Sequence, residues 1–296
     1  YLIIKNDSIW YEKYYQGYGK NSYSNSFSMA KSIVSATMGK AIQDGYFKSI
    51  DDKVGSYIDG YSDGLAEKLT IGDLSSMASG LDWDESYTDI FGVTARSYIS
   101  SELNELIKSR AIIEEPGKSF KYYSASTQLL SMVVEKATQK KISNLVQEWF
   151  LEPLGFENSS LWQIDGKKNN TIKAYCCFNS NARDFARFGK LYKDYGKWNG
   201  IQILDSSFVA KSIKPRFEKS PEYGYGFWLG EIKENKFFAM RGILGQYVIV
   251  VPEKDIIVVR LGEKNLEKNS DRPKDFDVYL NEAIIMLDSV RFDYEQ

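Results

Sequence analysis

The chain has 296 residues, 43% hydrophobic and 15% aromatic, which is ample for a large core in one domain or two closely packed ones and rules out a disordered chain. Lys and Arg number 38 against 40 Asp and Glu, a formal net charge of -2, and the lysines are scattered (Lys140-Lys141, Lys167-Lys168) rather than striped, so nucleic acid is not an expected partner. Histidine is absent, which excludes Ser-His-Asp and Cys-His triads and histidine-ligated metal centres, and no run of about 18 apolar residues is present to span a bilayer.

The first residue is Tyr1 and no signal peptide precedes it, so the chain reads as a trimmed or processed product. Leu2-Ile3-Ile4, a polar turn at Asn6-Asp7 and Ile9-Trp10-Tyr11 predict a β-hairpin. Residues 17–27 (GYGKNSYSNSF) form a Gly/Ser/Asn loop that delivers the backbone to SMAKSIVSATMGKAIQDG. In that run the apolar residues recur at three- and four-residue spacing and Gly45 marks an end, which predicts a helix from about Ser28 to Asp44.

From Ser49 to Ser220 helical stretches alternate with turns. A short helix is expected from Thr70 to about Ser79-Gly80, followed by an acidic, aromatic loop, LDWDESY, over residues 81–87. Further helices are expected over Leu103–Ile113 (closed by Pro116-Gly117), Ser126–Thr138, Ile142–Trp149 and Ala182–Tyr192. Cys176 and Cys177 are adjacent in an apolar context, and a bridge between neighbours is strained, so two buried thiols are expected. After Pro221, residues 223–228, 236–240, 247–251 and 256–261 predict an antiparallel meander, with a closing helix over 276–287. The expected fold class is α+β: an antiparallel sheet domain made by residues 1–27 and 221–296, flanked by helices, with a mainly helical domain, 28–220, inserted between its halves.

On a helix, residues three apart share a face, so the Ser28 hydroxyl and the Lys31 amine are placed to meet. A hydroxyl needs a base to become a nucleophile, and a lysine serves as one when burial or a neighbouring cation keeps it partly neutral. The helix start adds free N–H groups and partial positive charge suited to an oxyanion. Downstream, Pro116-Gly117 precedes Tyr122-Tyr123-Ser124, and Met240-Arg241-Gly242-Ile243-Leu244-Gly245-Gln246 makes a glycine-containing bend between two strands. Each of these has a plainer reading: an N-capping Ser28, a solvated Lys31, a packed Tyr122, turn glycines at 242 and 245.

Taken in this order, and over nearly the whole length, the chain resembles the serine hydrolases of the class C β-lactamase and penicillin-recognising family. TIGDLSSMASGLDWDE, LEPLGFENS and GQYVIVVPEKDIIVV look like that family's connecting stretches. The resemblance implies a β-lactamase/transpeptidase-like fold and a catalytic set of Ser28, Lys31 and Tyr122, with Tyr122 made acidic by the Lys31 ammonium. It implies an oxyanion hole from the backbone N–H groups of Ser28 and Ile243, an acyl-enzyme, and no metal or cofactor. Ser124 stands where the lactamases carry asparagine, and the third motif has no lysine. That relaxed motif and the Trp-Asp-Glu-Ser-Tyr loop look closer to the esterase and 6-aminohexanoate-dimer hydrolase branch, in which a tyrosine like Tyr87 closes over the substrate amide. Ser124, Tyr87, Trp83, Arg241, Gly242 and Gln246 are the implied substrate contacts.

The function so implied is hydrolysis of a small ester or amide. A DD-peptidase or weak β-lactamase, and a non-catalytic ligand-binding homologue, are the alternatives. Relatives of this kind are commonly exported, which implies a periplasmic or lipid-anchored origin; the sequence does not give the oligomeric state.

Overall fold

The chain begins in the middle of its main sheet. In a computed structural model, which describes all residues except 158–160, 167–168, 265, 267, 270–271 and 295–296, the strand β1 (Leu2–Lys5) pairs on one side with β2 (Ser8–Glu12), completing the expected hairpin. Asn158 and Ser159 of the LEPLGFENS stretch, and Lys167-Lys168, lie outside the described residues.

A short strand β3 (Ser24–Asn25) leads into a 3₁₀ turn, Phe27–Met29, and then α1 (Ala30–Gln43). Next come α2 (Ile71–Ser75), α3 (Val93–Ile99), α4 (Leu103–Lys108), α5 (Ser124–Thr138) and α6 (Ile142–Val146), the last continuing as a π turn, Gln147–Leu151. β4 (Leu161–Trp162) and β5 (Phe178–Ser180) join β3 in a small sheet of order β3-β5-β4. Then follow α7 (Ala182–Lys193), the hairpin β6 (Lys197–Trp198) and β7 (Ile201–Gln202), and α8 (Ser206–Ser212). The meander is β8 (Trp228–Ile232), β9 (Asn235–Gly242), β10 (Gln246–Val251) and β11 (Ile256–Arg260). A hairpin of β12 (Lys268–Asn269) and β13 (Arg272–Pro273) precedes α9 (Lys274–Tyr294).

The main sheet is antiparallel throughout, in the order β2-β1-β11-β10-β9-β8, so both ends of the chain build it. Alternation along β10 explains its two covered faces. Tyr247, Ile249 and Val251 pack with Phe276, Leu280 and Ala283 of α9, whereas Val248 and Val250 join the larger core with Phe185 and Phe188 of α7. That larger core runs on without a break into Met29, Ile33 and Val34 beside the 3₁₀ turn and Leu129 and Val133 of α5. The fold is α+β.

Four local expectations are corrected. The helix from Thr70 is held at its start by a capping box with Asp73 but stops at Ser75, two residues before Met77 takes a positive φ of 59°. The helix from Leu103 stops at Lys108, because the aliphatic run that follows is extended: Leu81 bridges Ile112, and the Ile113 N–H donates to the Gly80 carbonyl at 2.8 Å. Cys176 and Cys177 are joined in a disulfide rather than left as thiols, in a turn where Cys177 has φ of 70°.

Residues 223–228 make no strand of their own. Only their ends, Tyr223 and Trp228, bridge, and the loop between lies over α1, where the Tyr225 carbonyl accepts from the Ser35 hydroxyl at 2.8 Å and the Gly226 carbonyl accepts from Ser32. Gly226 permits this with φ of 84° and no side chain, since a Cβ there would stand 2.6 Å from that of Ser35. Gly226→Ala is therefore expected to lose about 2–4 kcal/mol by denaturant unfolding, from left-handed strain and overpacking together. Gly60→Ala, at φ of 89° with open space around it, should lose only about 1–2 kcal/mol, and equal losses would refute the packing argument.

Candidate active site

Ser28 sits in the middle of the 3₁₀ turn that opens α1, partly exposed, and caps nothing with its side chain. The residue before it, Phe27, has φ of 43°, an unfavourable conformation for a bulky residue. It is held there from both sides. Its N–H donates to Asn25 Oδ1 at 2.8 Å, and its carbonyl accepts from Ser26 Oγ at 3.0 Å. Ser26 is itself tied to β5: its N–H donates to the Phe178 carbonyl at 2.7 Å, and its Oγ accepts the Phe178 N–H at 3.2 Å. The small sheet thus sets the sharp turn that presents Ser28.

One helical turn on, Lys31 is only 2% exposed. Its Nζ donates to Ser28 Oγ at 2.9 Å and to the Tyr175 carbonyl at 2.9 Å, and stands 5.1 Å from the Tyr122 ring centre and 5.7 Å from that of Tyr175. Burial pushes its pKa down to about 8, against an opposing pull from the Glu85 carboxylate. A substantial minority of the amine is therefore neutral at physiological pH, as a base for Ser28 requires.

The Tyr122 phenol lies close enough to Ser28 for the serine hydroxyl to influence its titration, and its ring packs on Trp228 at 5.2 Å and edge-on to Tyr223 at 6.0 Å. The expectation that a cation lowers its pKa is corrected. Burial raises it well above the ordinary tyrosine value, outweighing the opposing pull of the Ser28 hydroxyl and the charge of Arg241. Tyr122 is thus a neutral phenol near pH 7, a proton donor rather than a ready base.

The third motif approaches from β9. A Cβ on Gly242 would lie 2.3 Å from the Ser26 carbonyl oxygen and 3.1 Å from the Phe27 Cβ, so only glycine lets the end of this strand touch the turn carrying Ser28. Ile243 follows in the turn Ile243–Gly245, whose carbonyls at Leu244 and Gly245 accept from Arg260 at 2.8 and 2.7 Å. Arg241 lies with its guanidinium 4.2 Å from the Trp228 ring centre, and its charge reaches Tyr122. Gln246 is buried and its amide holds loops together, accepting from Ser24 Oγ at 3.1 Å and donating to the Gly262 carbonyl.

The acidic loop reaches the same place with a residue that spacing had not singled out. The Glu85 carboxylate accepts from the Ser124 N–H at 2.7 Å, from the Ser124 hydroxyl, from Trp83 Nε1 at 2.8 Å and from the Tyr87 hydroxyl at 2.6 Å. Ser124 is buried as the first residue of α5, and Trp83 is buried beside it. Tyr87 keeps an exposed ring while its hydroxyl turns inward to Glu85. The structure therefore gathers Ser28, Lys31, Tyr122, Tyr87, Arg241 and Gly242 around one locus, with Trp83 and Ser124 packed behind Glu85. The alternation of donors around the acid, Trp83, Glu85, Tyr87, is the one sequence signal that could have found it. Tyr175, acting through its carbonyl, left none. Among the described residues no group of three or more Asp, Glu, His or Cys side chains gathers into a metal site, and no helix is long and apolar enough to cross a membrane.

With Lys31 as the titrating base, kcat/KM for any substrate attacked by Ser28 should rise about tenfold per pH unit below about 8 and level off above it. A profile flat from about pH 6 to pH 9 would exclude that role.

The family model for Beta-lactamase matches residues 1–280. A comparison with curated proteins finds no match. Among solved structures, a protein of Bacillus anthracis assigned as a 6-aminohexanoate-dimer hydrolase superposes with a TM-score of 0.82 at 20% identity, covering 97% of this chain and 77% of that one. The octameric penicillin-binding protein homologue from Pyrococcus abyssi gives 0.76 at 21% identity, covering 96% and 72%. EstCE1, a hydrolase with promiscuous acyltransferase activity, gives 0.74 at 17% identity, covering 96% and 92%.

Proposed function

The chain belongs to the Beta-lactamase family, as a hydrolase of that fold, and from that premise we propose that it is a serine hydrolase forming an acyl-enzyme on Ser28 with a small ester or amide. The observation that carries this reading is the 2.9 Å bond between the buried Lys31 amine and the Ser28 hydroxyl, with the amine's pKa brought down to about 8.

In the proposed cycle neutral Lys31 takes the Ser28 proton as Oγ attacks the substrate carbonyl. The tetrahedral oxyanion forms against the backbone N–H groups of Ser28 and Ile243, the two segments that Gly242 allows to meet. Tyr122, protonated because it is buried, gives its proton to the leaving alcohol or amine and is reprotonated from the Lys31 ammonium. Water then attacks the ester on Ser28, losing its proton to Lys31, and Ser28 departs with a proton returned to Oγ.

The esterase and 6-aminohexanoate-dimer hydrolase branch is the favoured setting. Ser124 Oγ, at the position of the lactamase asparagine, is engaged by Glu85. Arg241 supplies the only cation of the third motif, lying along Trp228. The resemblance to that branch rests also on the loop ending at Tyr87 and on the fold of the Bacillus anthracis protein. We place the sheet formed by residues 1–27 and 221–296 and the mainly helical 28–220 on either side of this site as two cooperating units.

A fluorophosphonate should add to the wild-type chain at Ser28 by intact mass, and Ser28→Ala should abolish both the adduct and p-nitrophenyl ester turnover. Tyr122→Phe should keep the fold and lose roughly 10²–10⁴-fold in kcat. Labelling elsewhere, or full turnover by Ser28→Ala, would refute the reading. Acylation by penicillin with release as fast as ester turnover would favour a lactamase instead, and an unreactive Ser28 a ligand-binding homologue.

A further inference from the structure

Glu85 meets four donors with one carboxylate. The two on Oε2, Trp83 Nε1 and the Ser124 N–H, are fixed and can only donate. The two on Oε1 are hydroxyls, from Tyr87 and Ser124. Ser124 begins α5 and lies two residues beyond Tyr122, so the carboxylate both caps the positive end of a 15-residue helix and holds the segment that carries the phenol. Through Tyr87 it also holds the exposed ring at the mouth of the site.

The groups facing Lys31 come from every element around it: Ser28 on its own turn, Tyr122 before α5, Tyr175 before β5, and Glu85 on the loop after α2. Of these only Glu85 brings a carboxylate.

We propose that Glu85 is a positioning residue for this reaction: its carboxylate fixes Tyr122 and Tyr87 relative to Ser28 and supplies the negative charge that faces Lys31. This rests on the serine hydrolase reading given above. Its two parts oppose each other usefully. Holding the phenol favours proton transfer to the leaving group, while the negative charge favours the ammonium form of Lys31 and so keeps the amine basic enough to strip a hydroxyl.

Glu85→Gln separates charge from shape. The amide oxygen can face the two obligate donors at the Oε2 position, leaving its NH₂ toward two hydroxyls that can rotate to accept from it, so the variant is expected to fold. With the charge gone, Lys31 loses its proton more readily. The acid limb of kcat/KM for a p-nitrophenyl ester should move to lower pH, while kcat on the plateau falls by about tenfold through weaker basicity and looser placement of Tyr122. Glu85→Asp keeps the charge and should keep the limb while losing kcat. Ser124→Ala removes one tether and no charge, and should lower kcat with the limb unmoved.

A Glu85→Gln limb that coincides with the wild type, or moves to higher pH, would overturn the electrostatic part. Wild-type kcat in Ser124→Ala would overturn the positioning part, even if Glu85→Gln did not fold. Ser28→Ala run alongside keeps the two failures apart. If it retains turnover, the hydrolase reading falls; if it is dead while the Glu85 variants behave as wild type, only the role of Glu85 falls.

Discussion

The site depends on a lysine kept out of water. Among the described residues no carboxylate is bonded to Lys31; its amine is shared between a serine hydroxyl and a backbone carbonyl, and the core around it makes the charged form costly. In a protein without histidine this is how a base near neutrality is made: an intrinsically strong base is weakened by burial, where an imidazole would have needed little adjustment. In the proposed mechanism, what packs around Lys31 therefore has a chemical role as well as a structural one. Met29, Ile33 and Val34 exclude water from α1, and the Tyr122 and Tyr175 rings face the amine.

Placement of the partners is divided between the two ends of the fold. The small β3-β5-β4 sheet shapes the turn before Ser28, including the strained Phe27. The main sheet brings Gly242 against that turn, and α5, anchored at Ser124, brings Tyr122. The strain at Phe27 is tolerated because side-chain hydrogen bonds on both its N–H and its carbonyl over-determine it. The shape of the site is thus set by contacts among segments far apart in the chain.

Much of this is legible in the sequence, wherever a local rule is enough. Ser28 and Lys31 were visible because helical spacing alone puts them on one face, and β10 and β11 because unbroken β-branched runs read as buried strands. The failures have tertiary causes. Residues 223–228 alternate like a strand, yet Gly226 lets them settle on α1, and Gly224 on the end of α8, instead. Ile112 and Ile113 extend a helical pattern that bridging to residues 80–82 overrides. The Cys176–Cys177 bridge depends on a local turn that periodicity does not encode. Glu85 reads in the sequence as part of an acidic loop, because the donors around it are brought in by folding.

The buried amine also ties the sturdiness of the protein to acidity. Lys31 holds its proton in the unfolded chain up to an ordinary value of 10.5 but releases it in the folded one at about 8. Below the lower value both forms are charged and the full desolvation cost weighs on the native state, of the order of 3 kcal/mol. Between the two the unfolded chain binds more protons, so this cost fades as the medium becomes alkaline. The trend reverses once exposed phenols would ionise, near 10, because burial obliges Tyr122 and Tyr223 to stay protonated in the native state. Mild alkali thus favours the neutral amine and relieves the cost of burying it at once, over a window closed from above by Tyr122 and the Tyr223 ring packed against it.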